Sequence, residues 1–209
     1  MQHRIEFYGE IISVQPRSNV WRYQLDNRNH ALTGYNIFLK GVAEGEEKHF
    51  SIAISEKVQE KYRFHIGDCI SGTGWTKKYP KLEYADYYRI GSLKKIKEVP
   101  YTDNESGPPW TSEVPPASVY DWRGCRILEV RRWRGKCFQC KWAAMANVAI
   151  EYDWGVKQQF KFESFCYGPK NCKYYNMGHP RSVPNKRTGT LYDDGCLDEI
   201  LTENRGDED

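Results

Sequence analysis

Hydrophobic and polar residues alternate along much of the first half of this 209-residue chain, which is the pattern of half-buried β-strands. In YNIFLKG (35–41) aromatic and aliphatic residues occupy every second position, and KHFSIAIS (48–55) repeats the pattern. Because successive side chains of a strand point to opposite faces, each segment can turn one apolar face towards a core.

Further segments complete an order of elements. IEFYGEIISV (5–14) predicts a first strand, which VWRYQL (20–25) continues or repeats; SEKVQEKY (55–62) predicts a short helix, and FHIGDCISGTGW (64–75) and the stretch after it predict the last strands. Three strands, a helix and about two more strands are the order found in an OB-fold, so residues 1–100 are predicted to form an OB-fold-like barrel. Another small β-barrel or a β-sandwich is the alternative.

The second half of the chain begins with a proline-rich segment, residues 101–119, which holds four prolines and predicts a linker. Residues 120–192 predict strands around a hairpin turn at Asp153–Trp154–Gly155. Residues 193–209 contain eight acidic residues and one arginine. They are expected to form an irregular acidic tail. A solvated terminus is one interpretation of this tail, and competition with nucleic acid for the basic body is the sharper alternative. The whole chain is therefore predicted to be mainly β.

The formal net charge of +3 is unevenly distributed, because a basic body precedes the acidic end. A basic body suits a polyanionic partner, and solvated charged faces have the same composition. The charged start of the chain lacks the apolar segment of a secretory signal, and no stretch is apolar enough to span a bilayer. We therefore expect a cytoplasmic protein whose seven cysteines are thiols or metal ligands.

Four of the cysteines form two close pairs on either side of the predicted hairpin. CFQC is a tight turn between Cys137 and Cys140, and CYGPKNC is a wider turn between Cys166 and Cys172. Two turns brought together by a hairpin are the ligand arrangement of a zinc ribbon, and four thiolates suit Zn²⁺. Four cysteine ligands leave no open coordination position, so the predicted zinc-ribbon-like domain has a structural rather than a catalytic metal.

Other interpretations of the cysteines stay open. Four thiolates also hold iron–sulfur clusters, and the wide spacing of the second pair is compatible with one. A CxxC redox pair would need a thioredoxin-like βαβ context, which is missing from the pattern. Ordinary buried thiols are the remaining interpretation, and it is the one expected for Cys69, Cys125 and Cys196.

An OB barrel binds single-stranded nucleic acid on the outer face of β-strands 2 and 3 and on the loops between strands 1 and 2 and between strands 4 and 5. In this sequence, cations and aromatic residues occur together at these places. Cations hold phosphates, and flat side chains stack on bases. Candidate residues come from four places: the loop before strand 2, the outer face of strand 2, the loop between strands 4 and 5, and the segment before the first cysteine pair. The candidate nucleic-acid-binding residues are Arg17, Trp21, Arg22, Tyr23, Phe38, Lys40, Lys77, Lys78, Tyr79, Tyr87, Arg89, Arg131, Arg132, Trp133 and Arg134. Packing of the same aromatic residues in a core or rim is the competing interpretation.

No catalytic constellation is evident in the sequence. Five histidines are scattered without a motif, SGTGW (71–75) lacks the dinucleotide fingerprint, and no P-loop, HExxH or GxSxG occurs. We therefore expect a protein that is not an enzyme.

The block C-Y-G-P-x-x-C-x-x-Y from Cys166 to Tyr175, together with C-x-x-C-x-W at 137–142 and VPNKRTG at 183–189, resembles an uncharacterised family of prokaryotic proteins of similar length. The resemblance covers most of the chain and implies one integral protein, but no activity. More loosely, an OB barrel joined to a four-cysteine ribbon is similar to single-strand-binding and translation-associated proteins. With the domain order reversed, it is similar to accessory proteins of acyl-CoA enzymes.

These observations lead to one leading hypothesis and two alternatives. The leading hypothesis is a non-enzymatic protein that binds single-stranded or structured RNA or DNA and contains a structural zinc ion. The first alternative is a protein-interaction or scaffold module that docks on a partner enzyme. The second is an iron–sulfur protein with a redox or sensing role.

Overall fold

A computed structural model describes residues 2–23, 28–100, 107–153 and 155–206 of the chain. Strands make up 46% and helices 14% of the described residues, so the predicted mainly β class is confirmed. No helix in these ranges is long and apolar enough to cross a membrane. The centre of the predicted hairpin turn, the first part of the predicted linker and the last residues of the predicted tail lie outside the described residues.

Long strands and short helices make up the regular structure of the described residues. In chain order they are β1 (Arg4–Tyr23), β2 (Arg28–Ala43), β3 (Glu46–Ile54), α1 (Glu56–Tyr62), β4 (Cys69–Thr76), β5 (Tyr87–Lys97), α2 (Ala117–Arg123), β6 (Arg126–Leu128), α3 (Val130–Arg134), β7 (Ala143–Tyr152), β8 (Lys157–Cys166) and α4 (Asp194–Leu201).

The five strands of the first half close into a ring. Their order is β1, β2, β3, β5 and β4, and β1 completes the ring by pairing with both β2 and β4. Neighbours are antiparallel except β3 and β5, which meet in parallel at Ile52 and Tyr87. Tyr35, Ile37 and Leu39 of β2 are buried in the core, as their alternation predicts. The predicted order of three strands, a helix and two strands is also confirmed.

The second half extends the same sheet. The last part of β1 pairs in parallel with β7, from Asn19 opposite Asn147 to Tyr23 opposite Glu151. β8 and β6 continue the sheet beyond β7. A register irregularity in the β1–β2 pairing, between Arg17 and Ser18, lies just before this part of β1. The predicted hairpin between the cysteine pairs is confirmed as the antiparallel pair β7 and β8.

The predicted loop before strand 2 is wrong in its position. Arg17, Trp21 and Tyr23 belong to β1 itself, which continues through the described part of VWRYQL, as one of its two interpretations predicted. Val20 and Arg22, on the opposite face of the same strand, are fully buried. Local pattern did not reveal the burial of Arg22, because it depends on Asp194, far away in the sequence.

The segment before the first cysteine pair, part of the strands predicted for residues 120–192, is divided into a strand and a helix. β6 pairs with β8 only as far as Leu128, which lies opposite Ser164. The N–H of Glu129 then donates to the carbonyl of Asn176, which turns the chain. The next residues, VRRWR, lack an alternating pattern and form α3, whose Trp133 N–H donates to the carbonyl of Glu129.

The predicted irregular acidic tail is wrong for its described part. Asp193 caps the N-terminus of α4, a regular helix that packs against β6. Asp194 and Asp198 of this helix are buried, and they pair with Arg22 and Arg28 respectively. These carboxylates are therefore part of the interior and are not free to compete for a basic surface.

Candidate metal centre and adjoining cleft

The four paired cysteines line one small cavity. Cys137, Cys140 and Cys166 are each less than a tenth exposed, and Cys172 is half-buried. The cavity measures about 10 Å³ and is closed by Trp110 and by other apolar side chains. The structure thus brings together all four predicted metal-ligating residues.

Local structure explains how the two turns meet. In the first, the N–H of Cys140 donates to the carbonyl of Cys137 at 3.0 Å, and β7 begins three residues later. Cys166 is the last residue of β8 and pairs with Ala143, the first residue of β7. The second turn closes where the N–H of Cys172 donates to the carbonyl of Pro169, at 3.2 Å. The hairpin register therefore places the two turns side by side.

Backbone N–H groups act on three of the four sulfur atoms. The N–H of Gly168 donates to Sγ of Cys166 at 3.3 Å. Against the larger effect of burial, backbone N–H groups of Trp110 and Trp142 act to lower the pKa of Cys140, and those of Tyr174 and Tyr175 act to lower the pKa of Cys172. Hydrogen bonds of this kind favour the thiolate, which is the form that binds a metal.

Burial acts on these thiols in the opposite direction. It raises the pKa of Cys137 and of Cys140 to about 12, and the neighbouring Cys166 adds to the rise. Burial also raises the pKa of Cys172. Without a cation, these thiols are protonated at neutral pH, and a metal ion binds by displacing their protons.

The side chains as they stand do not form a finished ligand set. Within the described ranges, no group of three or more His, Cys, Asp or Glu side chains is arranged so that it could hold a metal ion. The four paired cysteines nevertheless line the same cavity. Of the other cysteines, Cys125 is buried, Cys69 is half-buried and Cys196 is exposed.

The first cysteine turn also forms one wall of a cleft on the outer face of the ring. The ring of Phe138, inside the turn, lies 5.0 Å from that of Phe38 on β2 and 5.7 Å from that of Trp133 on α3. Tyr84, from the loop between β4 and β5, lies 6.0 Å from Trp133. These four aromatic rings surround a cleft of about 400 Å³.

Polar contacts fasten this wall to β1. The carbonyl of Phe138 accepts hydrogen bonds from Oγ of Ser13 and from Nε2 of Gln15, both at 2.5 Å. The indole N–H of Trp133 donates to Oε1 of the same Gln15, at 2.9 Å. Ser13 and Gln15 are fully buried, so these bonds prevent the burial of unpaired polar groups.

Some candidate nucleic-acid-binding residues lie inside the protein. These are Arg22, Phe38, Tyr87 and Trp133. Arg22 is enclosed between Glu163 and Asp194, and Tyr87 donates to Glu44, so the expectation that Arg22 and Tyr87 face solvent is wrong. Phe38 does point outward from β2, but the first cysteine turn and α3 cover it.

The remaining candidates reach the surface to different degrees. Half-buried residues are Arg17, Trp21, Tyr23 and Lys77, and exposed residues are Lys40, Lys78, Tyr79, Arg89, Arg131, Arg132 and Arg134. Arg17 donates to the carbonyl of Thr33 and lies 5.9 Å from the ring centre of Tyr88, so it is largely engaged. Burial raises the pKa of Tyr84, Asp86 adds to the rise, and Arg134 opposes it. Trp133 of α3 lines the cleft, so the arginines next to it in the chain lie near the edge of the cleft.

A row of aromatic residues continues from the cleft across the sheet. Trp21 of β1 lies opposite Ala149 of β7, which lies opposite Phe160 of β8, so all three share one face. Phe162, on the same face, lies 5.3 Å from the ring of Tyr84. Phe160 and Phe162 are 38% and 37% exposed. The cleft and this row form one continuous aromatic surface.

Sequence reasoning missed several members of this surface, namely Tyr84, Phe138, Phe160 and Phe162. Tyr84 lies in the late loop and Phe138 inside CFQC, so proximity to segments already selected was the available signal. Phe160 and Phe162 alternate with polar residues along β8, and nothing local indicates that their face is open.

Comparison with known proteins gives no relative for this geometry: no family model matches the chain, and no curated protein or solved structure is significantly similar to it.

Proposed function

We propose that this protein binds single-stranded or structured nucleic acid on the outer face of its ring, and that a zinc ion at the four cysteines holds that face in shape. The contact that carries the proposal is the one between Phe138, inside the first cysteine turn, and Phe38, on the outer face of the ring. Through it, the metal-ligand candidates and the binding surface belong to one unit.

The strand order supports an OB-fold for the ring. Five strands that close in the order β1, β2, β3, β5, β4 match a small Greek-key barrel. OB-folds bind oligonucleotides with the face of strands 2 and 3 and with the loop between strands 4 and 5. In this protein those positions are occupied by Phe38 and by Tyr84, which form two sides of the cleft.

The β7–β8 hairpin and its two cysteine turns support a zinc-ribbon-like unit. A tetrahedral ion takes two ligands from each of two adjacent turns, and the pairing of Ala143 with Cys166 makes these turns adjacent. A small unit with little core of its own gains stability from such a metal.

Both means of holding a single strand are present at the cleft. Tyr84, Phe138, Phe160 and Phe162 reach the surface and offer stacking faces for bases, and the buried rings of Phe38 and Trp133 support them. Arg131 and Arg134 are exposed on α3 and have no carboxylate within 4 Å among the described residues, so their charge is available to phosphates. Lys40, on the same outer face of β2 as Phe38, adds a cation on the other side.

Charge removal at α3 tests this proposal. A variant with Arg131, Arg132 and Arg134 changed to Gln is expected to bind a fluorescent single-stranded oligonucleotide more weakly and to lose roughly one unit of salt slope for each phosphate contact removed. The matched control changes Lys57, Lys94 and Lys97 to Gln; these residues are also exposed but do not line the cleft. Equal losses in the two variants would contradict the assignment of the site.

A protein-interaction module is the second candidate, and the exposed apolar residues of the hairpin favour it. Val156 is 78% exposed, and Phe160 and Phe162 extend the apolar row. This function predicts little affinity for oligonucleotides and a defined co-purifying protein that is released by changing Phe160 and Phe162 to Ser.

A further inference from the structure

The second cysteine turn is enclosed by arginine side chains. Nε of Arg123 donates to the carbonyl of Tyr167 at 2.6 Å, and Nη2 of Arg126 donates to that of Pro169, also at 2.6 Å. Arg205, which follows α4, donates to the carbonyl of Gly168. All three arginines are at most 7% exposed. The loop between Cys166 and Cys172 is therefore held from inside the protein by buried cations.

Two of these arginines differ from the other buried arginines in their partners. Arg22 and Arg28 each pair with two carboxylates. Arg126 and Arg205 have no carboxylate within 4 Å among the described residues, and they bond only to backbone carbonyls. Nε of each is buried without a hydrogen-bond partner.

A buried cation without a counter-charge is costly, so a negative group is expected nearby. The carbonyls that these two arginines bind include those of Gly168, Pro169 and Lys170, all between Cys166 and Cys172, so both guanidinium groups lie against the second cysteine turn. The guanidinium of Arg126 also lies 3.5 Å from the ring centre of Tyr175, which supplies a weaker, cation–π contact.

We propose that Arg126 and Arg205 are the buried counter-charges of a metal centre in which Cys137, Cys140, Cys166 and Cys172 hold one divalent ion. Four thiolates and one divalent ion leave a charge of about −2, which two guanidinium groups neutralise. This inference rests on the metal site of the proposed function and specifies its charge and the residues that balance it.

Metal and sulfide analysis separates a single ion from an iron–sulfur cluster, because four thiolates can hold either one. The N–H of Gly168, which donates to Sγ of Cys166, suits an anionic sulfur in both cases.

Metal analysis and competition titration of the full-length protein test the inference without nucleic acid. We expect one zinc per chain, no acid-labile sulfide, and, after Co²⁺ substitution, the absorption of a tetrahedral thiolate site. R126Q and R205Q are each expected to lose metal to a chromophoric chelator at an affinity about tenfold weaker than wild type, as is usual when an outer-shell partner is removed. Control variant R187Q changes an exposed arginine that does not line the cysteine cavity, and it should leave the affinity unchanged because its charge is screened.

R126K and R205K separate charge from shape, and they keep the test informative if the Gln variants fail to fold. Each retains the positive charge without the guanidinium fork and should keep affinity close to wild type. Four results would each overturn the inference. They are wild-type metal affinity in both Gln variants, Lys variants that lose metal as readily as the Gln variants, two irons with acid-labile sulfide, and no stoichiometric metal. If the wild-type protein holds its metal and does not bind the oligonucleotide, that result contradicts the proposed nucleic-acid function and leaves this inference standing.

Discussion

The backbone carbonyl of Phe138 accepts a hydrogen bond from the side-chain amide of Gln15, at 2.5 Å. Phe138 lies between the cysteines of the first turn, and Gln15 lies on β1, which belongs both to the ring and to its extension. The bond therefore ties the proposed metal centre to the strand that runs along the aromatic surface. A change at either end is expected to reach the cleft.

Changing Gln15 to Ala removes this bond and leaves the buried indole N–H of Trp133 without its acceptor. We expect a loss of about 1–3 kcal/mol in the free energy of unfolding, the usual cost of an unpaired buried polar group. Urea unfolding measures it, and Q158A, at an exposed position of β8, is the control. Metal content should remain that of the wild type; equal stability of the two variants would contradict the role of Gln15.

Changing Cys140 to Ser removes a buried candidate ligand. We expect loss of the metal, release of the Phe138 wall from the ring, and weaker oligonucleotide binding. A destabilisation of about 3 kcal/mol would lower Tm by roughly 6–12 °C in a chain of this size. The control is C196S, because Cys196 is exposed and lies outside the cavity. Full metal content in C140S would rule out the proposed ligand set.

Particular residues show how far the sequence alone predicts this structure. The alternation in YNIFLKG indicates β2 and its inward face, because burial on one face of a strand is a local pattern. The same rule fails for Arg22, since its burial depends on Asp194, which is 172 positions away. α4 was missed for a related reason: acidic composition indicates a solvated tail unless buried arginines are known to pair with its carboxylates. The cysteine pairs were found because ligand spacing is itself a local pattern, whereas Phe138 and Gln15 meet only through the fold.

Changing Asp194 to Asn breaks the buried ion pair with Arg22. The expected cost is about 3–5 kcal/mol, because a buried charge loses part of its compensation. Thermal unfolding of D194N, compared with that of the exposed control E203Q, measures this loss of stability. Deleting residues 193–209 should likewise destabilise the fold. A deletion variant that keeps its stability and binds nucleic acid more tightly would contradict the packing of α4 against the body. It would support a tail that competes with nucleic acid.

Glu44 provides a pH-dependent contribution to stability. Hydrogen bonds from Lys48 and Tyr87 lower the pKa of Glu44 to about 2. Since the pKa in the folded state lies below the ordinary value of 4.5, the contribution is present above that value and is lost as the pH falls towards 2. At neutral pH, E44Q should lose less than about 1 kcal/mol because the site is partly exposed. The difference in the free energy of unfolding between E44Q and wild type should shrink near pH 3, and the control E46Q should match wild type at every pH. A stability loss in E44Q that does not depend on pH would contradict this role of Glu44.

Titration of the metal-loaded protein with a fluorescent single-stranded oligonucleotide decides whether the outer face of the ring binds nucleic acid. We expect saturable binding at about 50 mM salt that weakens steeply by about 200 mM, because phosphate contacts release counterions. Absence of binding at about 50 mM salt, by a protein that carries its full complement of metal, would contradict the proposed function.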